Sequence, residues 1–342
     1  MAVVGKKARF AKLIMSHWTE RFFALRNRRH LSILAYHSVQ DEVDHYPFNS
    51  EIISAYTDIF EQQLLFINKY FNVINFHDLV AYTGGVNDQA TLSKKLPPNS
   101  LIITFDDGYA DNATRVMPML KNADMTAVVY VSTDYIDQQN LFWFDEVAYL
   151  MRHLPEGKLE LAQGRFKVVL GADDRESQRR AFGRFLQSLT DAVRLEVLDE
   201  FRKKADISID PEKFHFAAPL TWDQIRDLRK GGIEIGSHTK SHGFLDVMTD
   251  AELVEQVSGS KARIEKELGE KIVSFSYPNG NLHEGVTQVV MDAGYSFAVC
   301  YDHAIAHLHA VNPLVLPRIH VETDVCMALF KSNLLLPEIF VR

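Results

Sequence analysis

Residues 100–108 read Ser-Leu-Ile-Ile-Thr-Phe-Asp-Asp-Gly, an apolar run that stops at two adjacent carboxylates and a glycine. The run at 100–104 fits a strand buried on both faces, and Asp-Asp-Gly fits the turn that ends it. Neighbouring carboxylates repel unless a cation or a proton neutralises one of them, so Asp106 and Asp107 suggest chemistry as well as a turn. Working outward, residues 31–36 form another buried apolar run. Phe60, Leu64, Ile67 and Phe71 stripe a helix that Thr57 or Asp58 can cap, a further helix fits 112–121, and the β-branched run 127–132 is the next strand. Thr221 to Gln224 and Thr249 to Glu252 have the form of capping boxes, each opening a helix that a glycine closes, at Gly231 or Gly232 and at Gly269. Strands follow at 233–236, 273–276, 296–299 and 316–319. Strands alternating with helices predict a mostly parallel sheet or barrel.

The rhythm breaks between residues 140 and 218. That stretch holds a helix at 143–154, a short strand at 166–170 and a charged helical stretch at 175–204, and it reads as a mainly helical insertion bounded by Pro211 and Pro219. The expected layout is a basic amphipathic segment at 1–30, a barrel at 31–139 and 219–342, and the insertion at 140–218. Trp143, Trp222 and Tyr295 are read as core aromatics, and Cys300 and Cys326 as small buried residues, since two cysteines make no disulfide framework.

The second chemical signal is Ser237-His238-Thr239-Lys240-Ser241-His242, again directly after a strand. Two histidines four apart face one point if the segment makes a helical turn, as metal-ligand pairs often do. A carboxylate, two imidazoles and a spare carboxylate make a facial metal triad with its own base.

On these two motifs the sequence resembles the NodB-homology polysaccharide deacetylases, carbohydrate esterases that remove acetyl groups from sugars, over residues 31–321 outside the insertion. TFDDG at 104–108 is similar to the first family motif, SHTKSH at 237–242 to the HxxxH motif and SYPNG at 276–280 to the third. ILAYHS at 33–38 is similar to the opening of the subgroup acting on N-acetylglucosamine polymers. The resemblance implies a distorted (β/α)7 barrel, with Asp107, His238 and His242 as metal ligands and Asp106 as general base. It also implies a histidine general acid after a late strand, for which Pro317-Arg318-Ile319-His320 supplies His320. The chain departs from the pattern at Ser276, where the family commonly has Arg, at Asn279, where it has an aromatic, and in lacking a DxxxW motif, although Asp302 lies nearby. Asn279 retains a backbone N–H that can serve an oxyanion. Strand alternation puts Arg318 and His320 on one side, so Arg318 is a candidate replacement for the missing charge partner of Asp106. His37 and Tyr277 complete the expected substrate contacts.

The chemistry expected is metal-dependent removal of an acetyl group from an N-acetylated sugar, with Zn²⁺ or a substitute such as Co²⁺ or Ni²⁺ as cofactor. Two alternatives stay open, a metal-dependent amidohydrolase on a small non-sugar amide and a catalytically weak glycan-binding or scaffold protein. Residues 1–30 carry eight Lys/Arg against Glu20 alone, within a chain of net charge -8, so the remaining body is acidic and argues against nucleic acid as a partner. Phe10, Ile14, Trp18, Phe22 and Leu25 recur at helical spacing over 8–27, giving a basic amphipathic helix that lies on an anionic membrane or docks on its own domain. No run approaches the roughly 18 apolar residues of a membrane span. The expectation is a cytoplasmic protein, peripheral on the inner membrane face, acting on a lipid-linked or oligosaccharide precursor of a surface glycan.

Overall fold

The computed structural model describes residues 2–15, 31–83, 96–171, 174–280, 282–307 and 312–341. Its parallel strands are β1 (Ser32–Tyr36), β5 (Ser100–Phe105), β6 (Val128–Val131), β9 (Glu234–Ser237), β10 (Ser274–Ser276), β11 (Phe297–His303) and β12 (Leu316–His320). They run in the ring order β1, β12, β11, β10, β9, β6, β5, and β5 pairs back onto β1 from Ser32 opposite Leu101 to Tyr36 opposite Phe105. The two-residue β4 (Asn72–Val73) hangs on the start of β5, and a short pair, β2 (Ser38–Gln40) and β3 (Ile53–Tyr56), lies outside the ring. The protein is thus a closed, distorted (β/α)7 barrel.

Every residue of β1, β5, β6, β9 and β10 is buried, because helices cover the ring from outside while side chains fill it. Alternation sorts them. Leu34, Ile103, Val129, Ile235 and Ile319 pack against the helices, whereas Ile33, Ile102, Val128, Tyr130, Val299 and Leu316 form a second cluster on the other face. Counting on in twos from that second cluster reaches His37, Asp106 and, on β12, Arg318 and His320. Period-2 geometry therefore delivers these polar residues to the inside of the mouth where the strands end.

Between residues 143 and 216 the chain builds a separate apolar cluster. Helices α2 (Trp143–His153), α3 (Arg175–Gln187) and α4 (Asp191–Ala205), with the antiparallel hairpin β7 (Gly157–Leu161) and β8 (Phe166–Leu170), pack around Leu150, Leu161, Phe182, Leu186 and Phe201. The charged stretch 175–204 is two helices rather than one. The chain turns at 188–190, burying Leu189, so that Phe182 and Phe201 meet at 4.9 Å between ring centroids.

Two further expectations change. The helix Thr57–Tyr70 is capped by Tyr56 without a side-chain bond, because the Thr57 hydroxyl is drawn away to Asp41 at 2.7 Å. Helix α1 spans Ala2–Ile14 and docks on α5 (Met327–Leu335) and α6 (Pro337–Phe340), which close the chain. Its docking face is Ala8, Ala11 and Ile14 against Leu329, Leu336 and Phe340, and Lys7 Nζ donates to the Phe340 carbonyl at 2.8 Å. Small residues meet the partner while Leu13 stands 84% exposed, so Phe10 and Ile14 do not share one free apolar face. Trp18, Phe22 and Leu25 lie outside the described residues. Among the described residues no helix is long and apolar enough to cross a membrane.

Candidate active site

Asp107 follows β5 with φ 72 and Gly108 with φ 84, a left-handed pair that turns the chain sharply at the barrel mouth. A Cβ on Gly108 would stand 3.0 Å from Val131 Cγ1, so the turn needs glycine there, and Asp107 tolerates a conformation costly for most side chains. The 238–242 segment is not a helical turn. Thr239 (φ 68) and His242 (φ 52) fold it as a tight loop, and this loop brings the two imidazoles together.

Asp107 Oδ1 stands 3.4 Å from His238 Nε2 and 3.2 Å from His242 Nε2, and it is buried with no well-aligned donor. His238 Nδ1 is 2.8 Å from the Ser276 carbonyl; donating its proton there leaves the Nε2 lone pair facing the carboxylate. The three ligand atoms lie within 4.8 Å of one another, the one such group among the described residues. Two imidazole nitrogens and an oxygen turned to one point fit a divalent cation, and the donor set suits Zn²⁺. Burial opposes charge on all three. Coulomb and hydrogen-bond contributions from the histidines nevertheless hold Asp107 far below the usual carboxylate range. The carboxylates outweigh burial at His238, whose pKa is raised, but not at His242, whose pKa is lowered.

The HxxxH loop is held from beneath. Gln256 Oε1 accepts from the N–H groups of Lys240 (2.9 Å) and Ser241 (3.0 Å), the Ser241 hydroxyl donates to Asp191 at 2.8 Å, and Arg194 pairs with Asp191. Asp191 and Arg194 belong to α4, so the separate cluster of 143–216 anchors this loop directly.

Asp106 is buried beside Asp107 and held by a fork. Arg318 Nη1 donates to Oδ1 at 2.8 Å and Nη2 to Oδ2 at 2.7 Å, while the Ser276 hydroxyl donates to Oδ2 at 3.3 Å. Burial alone would raise this carboxyl; Arg318 and then His238 bring it down to about 2. The smaller Ser276 leaves room for an arginine arriving from β12. His320, two residues on, has its ring 3.9 Å from that of Tyr301, and its Nε2 is buried without a partner. Burial, then the positive charge of Arg318, pushes His320 down to about 3.

A cavity of about 340 Å³ opens over the triad, lined by Asp107, His242, His37 and Asn279 on the barrel side. Asn279 has φ 56 in the short turn after β10. Tyr277 is not brought there: it is buried in the core against Phe275, and its hydroxyl donates to the Leu314 carbonyl at 2.9 Å. Asp302 is exposed and does not line the cavity. The sequence reading missed Trp143, Phe144 and Tyr301, which line it, and Phe144 packs 5.2 Å from His242. Trp143 is also the core residue expected of it. Trp143 and Phe144 lie in the 143–216 cluster, whose fold was not readable from local pattern, and Tyr301 lies on β11 beyond the strand end expected at 299.

The chain matches the family model described as polysaccharide deacetylase over residues 93–298. It is similar to the Bacillus subtilis (strain 168) protein YxkH, named as a polysaccharide deacetylase, with 25% identity over 134 residues. That match covers 39% of this chain and 48% of YxkH, so the chain spans about half the length of that relative. Its fold is similar to that of the Streptococcus pyogenes deacetylase PplD in complex with acetate, with TM-score 0.58 and 18% identity over 90% of this chain and 96% of that one. The de-N-acetylase of Aggregatibacter actinomycetemcomitans gives TM-score 0.55 and 15% identity over 89% and 99% of the two chains. Because the family model matches more than half of the chain, the chain belongs to the polysaccharide deacetylase family.

Proposed function

We propose that the protein is a metal-dependent carbohydrate de-N-acetylase in which Asp107, His238 and His242 hold a divalent cation and Asp106 is the base. One observation carries this reading: an unpartnered carboxylate oxygen faces two imidazole nitrogens, and the neighbouring carboxylate is kept ionised by a two-pronged arginine. A cation held there by Asp107, His238 and His242, Zn²⁺ or a substitute such as Co²⁺ or Ni²⁺, would supply polarisation of the acetyl carbonyl and a more acidic water. Asp106 accepts a proton from the attacking water as the water oxygen bonds to the carbonyl carbon. The Asn279 N–H on the cavity wall donates to the oxygen that gains charge. The proton taken by Asp106 passes by way of His320, neutral at rest because of its low pKa, to the departing nitrogen as the C–N bond breaks, giving acetate and an amino sugar and leaving Asp106 ionised again. His37 lines the path of the sugar.

The substrate we assign is an N-acetylated sugar in a lipid-linked or oligosaccharide precursor of a surface glycan. The location is cytoplasmic, at the inner membrane face. Supporting this are the cations of α1, with Lys6, Arg9 and Lys12 exposed beside Phe10 and Leu13. Residues 31–139 and 219–342 form the catalytic unit, and 140–218 the insertion that frames its cavity. Acetate release from N-acetylglucosamine oligomers with added metal tests the reading. The Asp106→Asn protein keeps its metal and loses about 10²-fold to 10⁴-fold in turnover. Near wild-type turnover reassigns the base, and no acetate from any acetylated sugar overturns the activity.

A further inference from the structure

One face of α3 lines the same cavity as Asp107 and His242. Arg179, Arg180, Gly183, Arg184 and Gln187 line it, at the spacing that puts residues on a single side of a helix. Three arginines stand on the wall of this cavity, and their partners separate them. Arg179 and Arg180 both pair with Glu51 and Glu176, which balances two cations with two carboxylates. Arg184 is exposed and, among the described residues, has no carboxylate, carbonyl or ring partner. It is the uncommitted cation of the cavity.

Gly183 supplies an independent observation. A glycine inside a helix costs about 1 kcal/mol relative to alanine, so packing normally has to demand it. Here a Cβ at Gly183 would meet nothing within 4 Å. No neighbour requires the glycine. What its bareness does is leave room between Arg180 and Arg184 on the cavity side.

We propose that Arg184, supported by the Glu51-bound Arg180 and the space at Gly183, forms a subsite for an anionic oxygen group, phosphate or carboxylate, carried by the acetylated sugar. A guanidinium offers paired donors to two oxygens of such a group, and in a partly enclosed cavity these charge-assisted bonds are worth more than on an open surface. The anion binds at the α3 wall and the acetyl group lies across the cavity at Asp107. The subsite deepens the de-N-acetylase reading by naming its substrate class, acetylated sugars that bear a negative charge.

The test is equilibrium binding, by calorimetry, of N-acetylglucosamine, N-acetylglucosamine 1-phosphate and the carboxylate-bearing N-acetylmuramic acid to the metal-loaded protein. The expected result is that at least one anionic sugar binds about 10-fold to 100-fold tighter than the neutral one, the range of a charged hydrogen-bonded contact. Arg184→Gln, a conservative change at an exposed helical site, reduces that preference to about 3-fold or less, and Arg184→Lys retains part of it. The anion with the larger preference identifies the source as phosphate or carboxylate. Equal affinity for neutral and anionic sugars, no measurable binding of either anionic sugar, or a preference that survives Arg184→Gln overturns the subsite. If the preference and its loss are found but no acetylated sugar, the N-acetylglucosamine oligomers included, releases acetate, the subsite stands and the de-N-acetylase reading falls.

Discussion

Asp106 and Arg318 are each buried and each other's main partner, so neither can be removed without stranding a charge. Losing one member of such a pair typically costs about 3–5 kcal/mol, and losing both costs less than the sum. In the wild-type protein Asp106 sits at about 2, below its unfolded value. The pair's contribution is therefore present above pH 4 and fades as pH falls through 2. Arg318→Met reverses the sign. Burial alone raises the carboxyl, so the acid limb of kcat/KM should move up by at least about one pH unit. Below the raised limb turnover should fall about 10-fold per pH unit, and Asp106→Asn with Arg318→Met should regain part of the lost stability. An acid limb unmoved in Arg318→Met would show that Asp106 is not the titrating base. The pairing was legible in the sequence through alternation along β12, which places Arg318 and His320 on one side. The left-handed backbone at Asp107, Thr239 and His242 was not, since even Asp and His, which favour a positive φ more than most residues, adopt it at only a few positions and Thr resists it.

Elements with strong periodicity and caps were legible to within a residue or two. The capping boxes at Thr221 and Thr249 form as expected, and Gly269 ends its helix with φ 69. Helix α1 was harder, because Phe10, the larger apolar residue, is about half exposed while Ala11 is fully buried. Close approach to α5 favours the small residue, which a hydrophobicity pattern ranks below phenylalanine. The outer face left by this docking carries Arg9, Lys12 and Leu13. The intact protein is expected to co-sediment with liposomes rich in anionic lipid and to release as salt rises. Leu13→Asp with Arg9→Glu should weaken this without unfolding the protein, because neither residue is buried. Failure of the intact protein to sediment with anionic liposomes at low salt removes the membrane from the account.

At the scale of the molecule, the triad joins loops after β5 and β9, and α4 holds the second of these through Asp191 and Arg194. Metal binding to the folded state alone adds stability by mass action, about 2.7 kcal/mol at a hundred times the dissociation constant. Chelation should accordingly lower Tm by several degrees and re-addition restore it, with Asp107→Asn abolishing the shift. A Tm indifferent to chelator and to metal would argue against a resident cation. The barrel was legible because strand and helix signals alternate along the sequence; the inner architecture of 140–218 was not, since its elements find partners only across the whole insertion. The ring closure also sets a timetable for synthesis. Leu34 pairs with Ile103 on one side and with Ile319 on the other. A nascent chain can seat β1 against β5 early, but the other edge of β1 stays open until the last strand leaves the ribosome. Most of translation is thus spent as an unclosed sheet with two unpaired edges, the state in which edge-to-edge association with another copy competes with folding.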